Sequence, residues 1–559
     1  MIPRLGPPLT VLLLAGPVLF GLVGTVLPAL GFLPVLGGMD ISLRHFADFL
    51  SRPGMGISMG LSLGAGVASA ALSLGVVMLF VASWAGTRAF ARIQNLISPL
   101  LSVPHAAAAF GLAFLIAPSG MLARLVSPEL TGWTRPPDLL IVNDPMGLSM
   151  IAGLVVKEIP FLLLVTLAAL PQVKLGETRA LAASLGYGRI AGFICLAWPP
   201  VYRQIRLAVF AVVAFASSVV DVAVILGPTT PPALAVRLVE MMSDPELSMR
   251  YTASAGAIVQ FGVTLAAIAI WIAFERVGRR VREWLSAHGR RLRRDRVSRH
   301  MALGAMILSA ATIFAGLATL ALWSVAGLWQ FPDALPREIT LRTWMSAAPR
   351  VASPLTTTLI VAASATAIAV VLAMMCLVHE DRTGKRAGRG ALFLIYLPLI
   401  MPQVTFLFGL QLLFLVTDTV ASLPALVLAH LVFVLPYVFL SLSDPWRAFD
   451  RRYEAVAAGL GKSANRTLWA IRLPMLMRTA LVAAAVGFAV SIGQYLPTVL
   501  VGAGRLPTIT TEAVTLASGG NRRVVGVYAF LQMFLPILGF AIATLLPAMI
   551  FRHRRAMRV

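Results

Sequence analysis

Ala180-Leu181-Ala182-Ala183-Ser184-Leu185-Gly186 and Ala455-Val456-Ala457-Ala458-Gly459-Leu460-Gly461 are two copies of one pattern, A-x-A-A-x-L-G, in a chain of 559 residues. Their register outlasts the motif. Counted from each closing glycine, Pro199 and Pro474 fall at +13, Gly227 and Gly502 at +41, and Pro232 and Pro507 at +46. Upstream, Pro160 lies at −26 and Pro436 at −25, and each begins an apolar run that descends into its loop. Further back, Pro104 leads to Phe110-Gly111-Leu112 as Pro402 leads to Phe408-Gly409-Leu410, six residues on in both. Self-similarity sustained this far is the signature of an internal duplication.

The duplicated units are membrane-bound. Hydrophobic residues make up 58% of the chain and charged residues 12%, against about 25% charged in an ordinary soluble domain. The mean hydropathy is +0.87. This composition excludes a soluble enzyme. Apolar stretches near 9–30, 57–83, 96–117, 146–170, 207–227 and 252–274 are each long enough to cross a hydrocarbon core of about 30 Å as a helix. Six more follow near 302–328, 355–378, 391–415, 423–442, 479–501 and 527–550. Barrel strands would be about 10 residues with strict alternation, so the runs predict an all-α polytopic protein of about 12 transmembrane helices in two parallel six-helix repeats. The first run, after Arg4, is too long for the apolar core of a secretory signal and is read as a retained span.

The halves are expected at 1–275 and 301–559, separated by a basic linker at 276–300. With the N-terminus inside, 33 of the 46 Lys and Arg residues fall in cytoplasmic segments, 12 fall outside, and Lys157 alone lies within a span. That asymmetry follows the positive-inside rule and predicts cytoplasmic termini. The Arg-rich linker is read as the element that holds this orientation, its stems snorkelling among headgroups, rather than as a nucleic-acid patch.

The duplicated loops, at about 171–205 and 443–477, are long for mere connections. Their composition predicts a short helix, a turn at Gly186 or Gly461, and a second helix ended by Pro199 or Pro474. Small alanines permit close approach of another backbone, so the pair reads as a docking element.

These residues carry a family resemblance. Glu454-Ala455-Val456-Ala457-Ala458-Gly459-Leu460-Gly461, continuing to Ile471-Arg472-Leu473-Pro474, resembles the E-A-A-x-x-x-G-x9-I-x-L-P signature of the permease subunits of binding-protein-dependent ABC importers. The first copy departs from it: Glu177 stands two residues further from its glycine than Glu454 does, and Ala197-Trp198-Pro199 replaces I-x-L-P. The chain resembles the fused type, in which one polypeptide supplies both membrane halves, as in ferric-iron, thiamine and polyamine systems. The resemblance implies the type I importer permease fold and a bacterial inner-membrane location. It implies two copies of a cytoplasmic ABC ATPase as partners, together with a periplasmic or lipid-anchored substrate-binding protein. Glu177, Ala182, Ala183, Gly186 and Pro199, with Glu454, Ala455, Ala458, Gly461 and Pro474, become the expected ATPase-coupling residues. ATP and Mg would be held by the partner, and no cofactor by this chain.

Polar groups in hydrocarbon are functional candidates by default. Lys157 and Glu158 either line a solute pathway or pair with neighbours to stabilise packing, and Asp221 and Gln494, in equivalent elements of the two halves, pose the same choice. His105 and Gln403, each following the shared proline, read mainly as residues that begin helices, with a role in a gate as the alternative. The outer segments Pro231-Pro232-Ala233 and Pro507-Thr508-Ile509-Thr510-Thr511-Glu512 either meet a binding protein or are ordinary ordered loops.

Catalytic patterns are missing from the sequence. Gly461-Lys462-Ser463 lacks the preceding glycine of a Walker A loop, since Val456 stands there, and neither H-E-x-x-H nor G-x-S-x-G occurs in a fitting context. The two cysteines, Cys195 and Cys376, and seven scattered histidines suggest no metal cluster. The alternative is a twelve-span secondary carrier of the facilitator type, whose D-R-x-G-R-R loop is resembled by Asp381-Arg382-Thr383-Gly384-Lys385-Arg386. The corresponding first-half loop lacks that motif, and such a carrier has no use for two matched loops.

Overall fold

In hydrocarbon each backbone amide must be satisfied within its own segment, and long apolar runs achieve this as helices. The computed structural model describes residues 2–517 and 519–552. Among them no strand occurs beyond two isolated bridges, Leu33 to Gly38 and Ala326 to Ile339. Among the same residues ten helices are long and apolar enough to cross a membrane, and up to 12 spans result if two bent pairs each count as one. The basic C-terminal residues 553–559, used above to orient the chain, lie outside the described residues.

The first half contributes α1 (Gly6–Ala29), α2 (Met55–Trp84), α3 (His105–Ile116), α4 (Leu148–Ala169), the short loop helix α5 (Leu175–Ser184), α6 (Trp198–Ser218), α7 (Asp221–Leu226) and α8 (Met249–Ala287). The second contributes α9 (Arg296–Val325), α10 (Arg342–Thr383), α11 (Gly390–Ile400), α12 (Gln403–Val416), α13 (Leu423–Arg447), the loop helix α14 (Arg452–Gly459), α15 (Met477–Ile492), α16 (Leu496–Gly502) and α17 (Arg522–Ile550). Helix α8 runs on into the basic segment, so only 288–295 of the expected linker is non-helical.

Four of the expected continuous spans are broken. The run at 96–117 is a 3-10 turn at Ser98–Ser102 followed by α3, and the run at 391–415 bends by 92° between α11 and α12. Both breaks stand at the shared prolines. Proline has no N–H and drives the residue before it out of the helical region, and Val103 and Met401 are accordingly extended, with ψ of 123° and 133°. The runs at 207–227 and 479–501 stop at Ser218 and Ile492 and resume as α7 and α16. These stops are held alike. The Gln260 amide donates to the Ser217 carbonyl at 3.0 Å, and the Gln532 amide donates to the Thr510 hydroxyl at 2.9 Å, which in turn bonds the Ile492 carbonyl.

The halves interlock by exchanging their first spans. Helix α1 packs on α10 and α12 of the second half, while α9 packs on α2, α3 and α4 of the first. The shared F-G-L glycines mark both crossings. A Cβ on Gly111 of α3 would stand 3.0 Å from backbone carbon of Gly316 in α9, and one on Gly409 of α12 would stand 2.6 Å from the backbone of Gly24 in α1. Without a hydrophobic drive between helices in lipid, such small-residue crossings supply the close packing that holds them.

Candidate functional site

Both A-x-A-A-x-L-G copies fold into the same object. After α5 the Gly186 amide donates to the Ala183 carbonyl at 2.9 Å and the Tyr187 amide to the Ala182 carbonyl at 2.9 Å. After α14 the Gly461 amide donates to Ala458 at 2.9 Å and the Lys462 amide to Ala457 at 3.0 Å. This 6→1 and 5→2 pairing is a Schellman C-cap, which requires the residue after the cap to be left-handed. Gly186 and Gly461 have φ of +75° and +71°, a region nearly closed to residues bearing a Cβ. One short helical turn follows, then a π-helical turn at Phe193–Ala197 or Leu468–Arg472, then Pro199 or Pro474. Each proline, lacking an N–H and crowding the carbonyl four residues back, is accommodated by the wider π turn.

The turns present matched surfaces. Ala182 and Ala457 are buried against the second helical turn. Leu181 and Leu185 are 53% and 47% exposed, and their register equivalents Val456 and Leu460 are 64% and 71% exposed. Apolar side chains held outward at the same two positions of a duplicated turn form a pair of matched knobs. Ala183, Ala455 and Ala458 lie on these helices, and Ala183 and Ala458 supply the carbonyls that accept the two glycine amides.

The anchoring of the two loops differs. In the second, the buried Arg472 guanidinium donates to Glu454 at 2.9 Å, lies 2.7 Å from Asp381, donates to the Trp446 carbonyl at 2.9 Å, and stacks 4.3 Å over the Trp446 ring. The Trp446 indole donates to Asp381 at 2.7 Å, Arg451 pairs with it at 3.3 Å, and Arg382 donates to Asn465 at 2.6 Å. The D-R-T-G-K-R stretch is therefore a mount for the second loop. In the first, Glu177 is exposed and pairs with Lys174 at 3.1 Å. Counted back seven from the glycine, the position of Glu454 is held by Arg179, which donates to the Ala85 carbonyl at 2.7 Å. The 288–295 segment then straps this loop: the Gly188 amide donates to the Arg291 carbonyl at 2.9 Å, Arg293 to the Gly186 carbonyl at 3.0 Å, and the Ile190 amide to Asp295 at 2.9 Å.

The second group of candidates lies between the halves. Lys157 is buried and its ammonium donates to the Leu100 and Leu101 carbonyls at 3.1 and 3.2 Å. It thereby holds the 3-10 turn before α3. Glu158, also buried, lies 3.3 Å from the His105 ring, which packs at 4.6 Å on Phe215. Asp221, at the start of α7, is within electrostatic reach of His105. Tyr437 and Tyr495 of the second half are within electrostatic reach of Glu158 and Asp221 respectively. Gln494 is buried beside Tyr495, at the stop after α15. The sequence did not single out the two tyrosines. Nor did it single out His430, whose ring nitrogens lie 2.8 Å from Ser491 and 3.0 Å from Thr498, tying α13 to α15 and α16. Histidine inside the apolar run 423–442 was the available signal.

The outer segments are pinned inward at matched positions. The Leu234 amide donates to Ser62 at 3.1 Å and the Ile509 amide to Thr358 at 2.9 Å. Ala233 and Thr508 to Thr511 are buried, so an external partner would meet their neighbours Thr229, Thr230 and Ala503 to Arg505, which are exposed.

No family model matches the chain. Over 527 residues, spanning 93% of this chain and 93% of the relative, it is 29% identical to the inner membrane ABC transporter permease protein YnjC of Escherichia coli (strain K12). It is 29% identical over 192 residues to the putrescine transport system permease protein PotI of the same strain, covering 33% of this chain and 68% of that one. It is 30% identical over 146 residues to the molybdenum transport system permease protein ModB of Mycobacterium tuberculosis (strain ATCC 25618 / H37Rv), covering 24% of this chain and 55% of that one. The shorter relatives thus match about a third and a quarter of this chain, and the long one nearly all of it.

Proposed function

We propose, from the premise that this chain is a homologue of inner-membrane ABC transporter permeases along nearly its whole length, that it is the fused permease of an ATP-driven importer whose two loops dock two cytoplasmic ATPase subunits. The observation that carries the reading is the duplicated Schellman turn, with Leu181 and Leu185 in one copy and Val456 and Leu460 in the other turned outward at the same positions. ATP and Mg belong to the partner subunits, and this chain supplies the solute path and the mechanical link.

In this reading a periplasmic binding protein delivers solute to the mouth between the halves. Closure of the ATPase dimer moves the two knobs, and the broken helices around Pro104, Pro402, Ser218 and Ile492 are where the spans change shape. His105, Glu158 and Asp221, with Tyr437 and Tyr495 opposite, line the path, and Lys157 braces it. Both termini are placed in the cytoplasm in this reading, which the distribution of basic residues supports. The names of the relatives span putrescine and molybdenum, so the solute is not carried over from them.

The test is purification of the tagged full chain from its own host in mild detergent, with co-purifying proteins identified and ATP hydrolysis assayed. Two ATPase copies per chain, lost when Gly186 and Gly461 are altered together, are expected. A lone chain without ATPase activity, after crosslinking has excluded dissociation, would overturn the reading.

A further inference from the structure

The two loops close their charge balance differently. In the second, Arg472 is neutralised by Glu454 and Asp381 from the same chain. In the first, the position of Glu454 is itself an arginine, and no carboxylate among the described residues bonds it. Arg179 and Arg189 both donate to one carbonyl, that of Ala85, at 2.7 and 3.3 Å. Arg299 stands over the ring of the preceding residue, Trp84, at 5.6 Å, and its carbonyl accepts from the Trp84 indole at 2.9 Å. Four buried guanidinium nitrogens of these three side chains have no hydrogen-bond partner among the described residues: Nε and Nη2 of Arg179, Nε of Arg189 and Nε of Arg299. The acid nearby is Asp295, which faces Arg189 and accepts the Ile190 amide. Burial and the neighbouring Arg189 pull the Arg179 guanidinium down to about 10, as expected of a desolvated cation beside a like charge.

A cavity of about 310 Å³ opens here, with Arg179 and Arg189 on its wall and Thr178, Tyr187 and the Gly188 backbone beside them. Forked N–H donors with unsatisfied hydrogens match the tetrahedral oxygens of a phosphate. A buried donor left without a partner bears its full desolvation cost, more when it is charged. We propose that the Arg179, Arg189 and Arg299 cluster beside the first loop is a binding site for a phosphate-bearing anion, either a soluble phosphate or the phosphate of an anionic lipid headgroup. The anion takes the part that Glu454 plays in the second loop, so occupancy sets how firmly the first knob is mounted. This inference stands apart from ATPase docking and is tested on the isolated chain.

The purified full-length chain, in neutral detergent at low salt, is titrated with inorganic phosphate and pyrophosphate while its thermal midpoint and Trp fluorescence are followed. In parallel it is placed in phosphatidylglycerol or phosphatidylcholine nanodiscs and retained lipid is weighed by native mass spectrometry. Expected is a saturable rise in midpoint with the soluble anions, or selective retention of phosphatidylglycerol, and which of the two occurs identifies the source. Arg189→Gln, which leaves the Arg179 bond to Ala85 in place, is expected to weaken that response at least tenfold. Arg337→Gln, at a distant exposed arginine, is expected to respond as the parent does. A parent that responds to neither probe, or an Arg189→Gln chain of native circular dichroism that responds as the parent does, overturns the proposal.

Discussion

The Arg472 guanidinium donates to the Glu454 carboxylate at 2.9 Å across the turn of the second loop, from a side chain that is 5% exposed to one that is half-buried. Asp381 meets the same nitrogen at 2.7 Å. Stripping both acids leaves a buried charge uncompensated, which costs about 3–5 kcal/mol. Because Asp381 and Glu454 are 23% and 35% exposed, the lower end of that range is expected for Asp381→Ala with Glu454→Ala. Adding Arg472→Met should restore most of the loss, and Glu454→Gln alone should cost little. Thermal unfolding of the purified chain measures all three, and a triple variant no more stable than the double would show that the ion network is not what mounts the loop.

The crossings of the exchanged spans make a second prediction. An added methyl at Gly409 would press closer on the Gly24 backbone than one at Gly111 would press on Gly316. Backbone cannot swing aside as a side-chain tip can, and overpacking of this kind costs about 1–3 kcal/mol. Gly409→Ala should therefore lower the thermal midpoint more than Gly111→Ala, and both more than alanine at Gly64 or Gly304, where a Cβ meets no described neighbour within 4 Å. Equal midpoints for the four variants would mean that the helices part freely there.

Local chemistry was legible in the sequence and remote pairing was not. The Schellman turns followed from glycine spacing; the second loop's helix bends by 70° just past Pro474, where the sequence predicts an end, but the first runs on through Pro199 into α6 because the π turn absorbs the proline. Hydropathy read 96–117 and 391–415 as single spans because a window average is blind to one proline's missing N–H. Arg472 and Asp381 are separated by 91 positions, and no periodicity links a residue in one loop to its counter-ion in another. The same holds for His105 and Glu158. Matching Glu177 to Glu454 by residue type led away from Arg179, the position that the glycine register picks out.

Gly461 separates folding from coupling. Its φ of +71° is left-handed, yet a methyl added there would meet no described atom within 4 Å, so the space is open and only the backbone resists. Aspartate visits that region more readily than most residues, and Gly461→Asp should melt within about 1 kcal/mol of the parent. The introduced charge would sit beside Leu460 on the outward face. Under the importer reading, solute uptake and ATPase co-purification should both fall at least tenfold. Normal uptake by this variant would remove the second loop from the coupling path.

Asp144 ties pH to the end of α7. Burial raises its carboxyl, but the Ser149 and Leu148 amides, each 2.8 Å away, and the Ser149 hydroxyl outweigh this and hold it below the ordinary value. A depressed carboxyl contributes stability that is present above the unfolded value, about 3.9, and is lost as pH falls through the folded one. Asp144→Ala should thus cost about 1 kcal/mol near neutrality, as a lost helix cap does. The gap from the parent should close below about pH 4. The Ser149 hydroxyl also lies 2.7 Å from the Leu226 carbonyl, and Asn143 donates to the Gly227 carbonyl at 2.7 Å. Protonation therefore loosens the clasp on α7, the helix that begins at Asp221. Thermal midpoints of parent and variant from pH 3 to 7 decide the matter: a gap that stays constant across the range would show that the charge on Asp144 contributes nothing to the clasp.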